Sequence, residues 1–189
     1  MAAKSDSKRT VEILFAEAKM TGLPEKALPL SRNLLTVELL WPKVGTARKS
    51  AAREVKFKKG VVDFTAEAWA KRCVFREEID GHCGIAVSVS EPVSVQKLRQ
   101  WAKLTAKAIL KEGADIVTSA MVGYADIAQA PIDALATMVG EKEAPKAIAQ
   151  GIVDYGNLPA AGETQLVVVP LTRPLTDTAV GTLTLEIRG

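Results

Sequence analysis

Several stretches of this chain place an apolar residue at every second position, and that period of two constrains the fold more than any other feature. Leu35, Val37, Leu39 and Trp41 alternate with Thr36, Glu38 and Leu40, and Val55 and Phe57 alternate with Glu54, Lys56 and Lys58. Ile85, Val87 and Val89 alternate with Ala86, Ser88 and Ser90, and Leu183, Leu185 and Ile187 with Thr182, Thr184 and Glu186. Successive side chains of an extended chain point to opposite faces, so this pattern predicts strands with one buried and one wet face. Such half-polar strands belong to antiparallel sheets, because the doubly covered strands of parallel sheets read as continuous apolar runs. Residues 10–20, 61–64, 72–78 and 164–171 are further strand segments, rich in β-branched and apolar residues. Asp80-Gly81, between the segments 72–78 and 83–90, reads as a hairpin turn.

The period changes in the middle of the chain. Across residues 94–112, Val95, Leu98, Trp101, Ala102, Thr105, Ala108 and Ile109 fall in one arc at 3.6-residue spacing. Gln96, Arg99, Gln100, Lys103, Lys107 and Lys111 fall opposite, Ser94 suits the N-cap, and Gly113 suits the stop. Residues 114–123 continue in small apolar residues, Pro131 opens a helix ending near Gly140, and Pro145 opens another ending near Gly156. The expected fold is therefore α+β. It is an antiparallel β-sandwich in one domain spanning 1–189, with a block of helices, 94–156, inserted between its strands.

Charge is unevenly distributed. The net charge is only +3, yet residues 43–59 carry +6, residues 95–111 carry +5, and residues 112–189 carry −6. Such polarity bears on association rather than fold. Hydrophobic content of 48% and charged content of 25% suit a globular chain. The apolar runs are only a few residues long, so no spanning helix is expected. With a polar opening and two cysteines, Cys73 and Cys83, no secretory signal or disulfide framework is expected, and a cytoplasmic location is.

The order of segments resembles a C2-type β-sandwich. An opening strand runs into Gly22-Leu23-Pro24, a second strand follows at 33–41, then a basic third strand, and the last strand follows the step Val180-Gly181-Thr182-Leu183. The resemblance covers residues 10–90 and 163–188. It implies a module that binds partners through its surface, in some members acidic lipid heads through a basic strand. Calcium-dependent members hold the ion on clustered loop aspartates. The loop 21–32 has no Asp, and Ser90-Glu91-Pro92 stands where the second cluster should follow, so no calcium is expected.

The remaining chemistry is sparse. His82 beside Cys83 draws attention as a base next to a nucleophile, but neighbours on a strand point apart, and a turn histidine with buried thiols is the simpler reading. Cys73, Cys83 and His82 give three irregular zinc ligands with no second pair. Glu77, Glu78 and Asp80 cluster at a turn rather than across a cleft. There is no P-loop, dinucleotide-binding or Gly-x-Ser-x-Gly motif, and no cofactor is expected. Few aromatics interleave the basic residues, so nucleic acid is not expected either.

The sequence thus points to a non-catalytic interaction module binding a protein partner or an acidic membrane surface. The candidate basic surface comprises Arg48, Lys49, Arg53, Lys56, Lys58 and Lys59, with Lys103 and Lys107 from the amphipathic segment. The alternatives are a small-molecule binder or enzyme with a pocket between helices and sheet, lined by 125–139 and 144–153, and a self-assembling homo-oligomer.

Overall fold

Three of the four alternating segments become strands of one antiparallel sheet; of the fourth, 54–58, only Glu54 and Val55 are strand, ending a strand that begins at Ala47 in the basic stretch before it. The computed structural model describes residues 9–21, 31–41, 47–79, 82–94, 146–156 and 158–189. In chain order these form β1 (Arg9–Met20), β2 (Ser31–Leu40), β3 (Ala47–Val55), β4 (Val61–Asp63), α1 (Trp69–Arg72), β5 (Cys73–Ile79) and β6 (Cys83–Ser90). They continue as β7 (Val93–Ser94), β8 (Ala147–Tyr155), β9 (Thr164–Thr172) and β10 (Ala179–Arg188). The order across the sheet is β3-β2-β6-β8-β9-β10-β1-β4, with β5 also on β1 and β7 on β2. The sheet curls until it nearly closes into a barrel.

Three expectations are corrected by this arrangement. The α+β sandwich with an inserted helical block gives way to a nearly all-β, barrel-like sheet; α1, four residues long, is the one helix among the described residues. The helix expected from Pro145 to Gly156 is instead β8, which lies between β6 and β9. Its sequence, AIAQGIVDY, carries Ile148, Ile152 and Val153, and β-branched residues suit a pleated surface better than a helix. The rest of the block, including the amphipathic segment after Ser94, lies outside the described residues. Asp80 and Gly81, expected as a hairpin turn, lie outside the described residues, but the strands on either side are not partners: β5 pairs with β1, whereas β6 sits between β2 and β8. The two groups of strands do share one core as expected: β10 pairs with β1 over nearly its whole length.

The interior is filled by the inward set of every strand. Val11, Ile13 and Phe15 of β1 face Leu35, Val37 and Leu39 of β2, Ile85, Val87 and Val89 of β6, Val167, Val169 and Leu171 of β9, and Leu183, Leu185 and Ile187 of β10. A bulge between Phe15 and Glu17 shifts the inward set of β1 from odd to even positions, so that Ala18 and Met20 complete the core. The spare carbonyl of Ala16 accepts the backbone N–H of Phe64 at 3.0 Å, and Phe64 packs its ring 5.1 Å from that of Phe15.

The barrel has a seam where β3 meets β5 and α1 without a backbone ladder. Lys49, Ala51 and Arg53 stand opposite Leu39, Val37 and Leu35, so they point to the inner side. Lys49 pairs with Glu77 of β5. One terminal nitrogen of Arg53 lies 2.6 Å from both carboxylate oxygens of Glu67, and the other donates to the Lys71 carbonyl at 2.8 Å. The guanidinium also lies 4.8 Å from the centre of the Phe64 ring and 5.8 Å from that of Phe15, within cation–π range. Inward-pointing charge is a recognised way to blunt a sheet edge against foreign strands, and here it also bridges the gap.

Candidate functional site: a basic hairpin tip and an arginine row

The expected basic surface splits in two once folded. Lys49 and Arg53 belong to the seam, with their charges engaged by Glu77 and Glu67. Lys56, Lys58 and Lys59 are exposed around the connection from β3 to β4. Lys103 and Lys107 lie outside the described residues, as does the side chain of Arg48.

The β3–β4 connection is a tight hairpin. Lys58 and Val61 exchange backbone hydrogen bonds at 3.0 and 3.1 Å, leaving Lys59 and Gly60 as a two-residue loop. Both loop residues have positive φ, 51° and 79°, the signature of a type I′ turn, whose twist matches that of paired strands. Gly60 is required twice over: by its φ, and because a Cβ there would sit 2.4 Å from the Met20 carbonyl oxygen. Its own carbonyl accepts the Met20 N–H at 2.7 Å, which fastens the tip to the end of β1. Lys19 of β1 stands opposite Val61 and adds a fourth exposed ammonium, paired to Glu17 at 2.7 Å. Asp63, two pairs further along and opposite Glu17, has its carboxyl held below the usual range by the Thr65 hydroxyl and backbone N–H.

The His82–Cys83 pair separates as the extended backbone requires. His82 is exposed, with Nδ1 3.3 Å from the Asp154 carboxylate, whereas Cys83 is fully buried in the core. Burial, with the Asp154 charge adding to it, pushes the Cys83 thiol up to about 11. A thiol so placed holds almost no thiolate near neutral pH, so it is not an activated nucleophile. Burial likewise raises Cys73, assisted by Glu12. Among the described residues no group of three or more His, Cys, Asp or Glu side chains could hold a metal ion.

A second charged site has no counterpart in the sequence reading. Glu12 of β1 stands opposite Arg76 of β5 on one side and Arg188 of β10 on the other, so three strands line up an Arg–Glu–Arg row on the outer face. The row forms one wall of an open cleft of about 590 Å³, with Arg9, Gly162 and Glu163 among the other lining residues. The turn Ala160-Ala161-Gly162-Glu163 is closed by Glu163 N–H to the Ala160 carbonyl at 2.9 Å, with Gly162 at a φ of 82°. It is clasped to Gly189 by two further backbone bonds, of 2.9 and 3.0 Å. Below the row, Glu186 receives both Arg188 and Arg72, the latter at 2.5 Å, and Arg72 also donates to the Phe15 carbonyl at 3.0 Å. Burial acts to raise the Glu186 carboxyl, but the bonds from Arg188 and Arg72 outweigh it and hold the group below its ordinary 4.5.

The three arginines are dozens of residues apart in sequence, and only strand register brings them together. The basic runs that composition detects are therefore not where the structure arranges its guanidinium groups. The pocket expected between helices and sheet falls largely on residues 125–139, outside the described residues. The chain matches no protein-family model and shows no significant similarity to a curated protein.

Proposed function

We propose that this protein is a non-catalytic interaction module that docks on an acidic surface through the tip of the β3–β4 hairpin. The observation that carries this reading is a tight turn presenting lysines without an interposed acid: Lys58 and Lys59 are exposed at a two-residue turn fastened to the end of β1 by the Gly60–Met20 bond, and Lys56 is exposed on the approach to it. A preorganised basic tip loses little conformational freedom on docking, which favours affinity for a given number of charges. The resemblance to C2-type modules implies the same use of a basic strand edge, and the narrowing from the whole strand to its tip follows from the engagement of Lys49 and Arg53 in the seam.

The test is co-sedimentation with phosphatidylserine-containing vesicles over a salt series. Each lysine near an anionic surface contributes about 1 kcal/mol, so Lys58→Glu/Lys59→Glu should weaken binding by roughly thirtyfold or more. Binding by the native chain should also fade as salt rises. Salt-independent binding, or binding untouched by the double substitution, removes the tip as the docking element.

A further inference from the structure

We infer that the cleft over the Arg76–Glu12–Arg188 row is a binding site for a small organic oxyanion, a polycarboxylate or a phosphate ester. The charge arrangement carries the inference. The row holds two guanidiniums to one carboxylate, and Arg9 adds a third positive group to the same cleft. Against these three arginines the lining carries two acidic side chains, Glu12 and Glu163, each already holding a donor of its own. Glu12 accepts the Trp69 indole N–H at 3.0 Å through one oxygen and faces Arg76 through the other, and Glu163 accepts the backbone N–H of Ala160 at 3.0 Å.

The arginines, by contrast, keep donors in reserve. Arg188 commits its Nε and one terminal nitrogen to a single oxygen of Glu186, at 2.6 and 2.5 Å, which leaves its other terminal nitrogen directed elsewhere. Arg76 approaches Glu12 only through Nε, at 3.6 Å, beyond hydrogen-bond range. Arg9 makes one long bond of 3.5 Å, to the Pro159 carbonyl. A planar guanidinium with unused N–H groups matches the two oxygens of a carboxylate or phosphate, and several converging on one cleft select for a ligand bearing more than one oxyanion.

The site is also built to stay in place. Two of its arginines sit on neighbours of the same strand, β1, and Arg188 is braced from beneath by Glu186 and Arg72. The opposite wall is the 160–163 turn, tied to Gly189 by two backbone bonds. At Gly162 nothing lies within 4 Å of the position a Cβ would take, so the turn leaves open space over its backbone. A volume of about 590 Å³ falls in the range of small-molecule sites. The cleft lies on the outer face of β5, β1 and β10, lined by residues distinct from those of the hairpin tip, so the two readings are separable.

Isothermal titration of the full chain with citrate and with inorganic phosphate tests the inference. Saturable binding of citrate in the millimolar range or tighter is expected. Arg76→Gln, at an exposed position that spares the Glu186 brace, should weaken binding by about tenfold, and Arg9→Gln/Arg76→Gln by more. Arg76→Lys, which keeps the charge but loses the planar fork, should fall between the native chain and Arg76→Gln. Lys58→Glu/Lys59→Glu should leave citrate binding unchanged. Preference for citrate over phosphate assigns a polycarboxylate, and the reverse assigns a phosphate ester. Absence of saturable binding by either probe overturns the site, as does binding that ignores the arginine substitutions or responds only to the lysines.

Discussion

β6 and β9 flank β8 in the same sheet and feed the same core, yet their outer faces behave in opposite ways. β6 is buried on both sides throughout its length, although its outer residues are Gly84, Ala86, Ser88 and Ser90. β9 is wet on its outer side, although that side carries Leu166 and Val168, 63% and 53% exposed. Hydropathy alone assigns them the other way round. CGIAVSVS alternates as a half-wet strand should, and the apolar run 166–169 reads as a doubly buried one. The difference teaches that small side chains with satisfied hydroxyls can serve a buried face. Thr36 and Ser88 bond each other at 2.5 Å; Ser90 Oγ accepts the Leu34 N–H and donates to the Glu91 carbonyl, both at 2.8 Å. Asn33 closes the group by donating to the Ser90 carbonyl at 2.7 Å. No hydroxyl in this group is left bare, so burial carries little desolvation penalty.

The sharpest way to break this contrast is to place a charge on each outer face. Ala86→Asp puts a carboxylate into a buried position opposite Glu38 and packed near Leu40 and Ile152, and should cost about 3–5 kcal/mol. Val168→Lys, on the wet face, should stay within about 0.5 kcal/mol. Urea unfolding of both variants measures this, and equal losses mean the two faces do not differ. A smaller effect is expected at the hydroxyl pair. Ser88→Ala leaves the Thr36 hydroxyl buried without that partner and should cost about 1–3 kcal/mol, whereas adding Thr36→Val should restore most of the loss. Additive losses in this double-mutant cycle point to packing rather than the hydrogen bond.

The smallest effect belongs to the wet side and is visible only with pH. Glu186 of β10 stands opposite Leu166, and its folded carboxyl titrates below the ordinary 4.5. Its contribution is fully present above the unfolded carboxylate value and disappears as pH falls through the folded value, because the unfolded chain takes up the proton first. The stability gap between the native chain and Glu186→Gln should therefore be open near neutral pH and narrow steadily below about pH 4. Chemical denaturation at several pH values reads it directly. A gap that ignores pH removes the ion pairs with Arg72 and Arg188 as its source.

Legibility followed the range of the interaction. β1, β2, β5, β6, β9 and β10 were readable within two residues at most of their ends, because a period of two is a local property of the chain. β8 was not, since Ala147, Ala149 and Gly151 are small enough to fit a helical reading, and only the slot between β6 and β9 makes the segment extended. Asp80-Gly81 carried the right local chemistry for a hairpin, but the partners of β5 and β6 are chosen elsewhere in the sheet. Of the candidate basic surface, the tip lysines were visible as a charge run, whereas the roles of Lys49 and Arg53 depend on their opposition to Leu39 and Leu35. The row of Arg76, Glu12 and Arg188 left no local signal at all.

What the amino-acid order settled alone is which segments extend and which of their side chains turn inward, because alternation acts between immediate neighbours. Tertiary structure decided which strands stand side by side, that the sheet curls on itself, and which charges meet. Those outcomes depend on register, and sliding any strand by one residue would exchange its two faces and dissolve every cross-strand pair it makes.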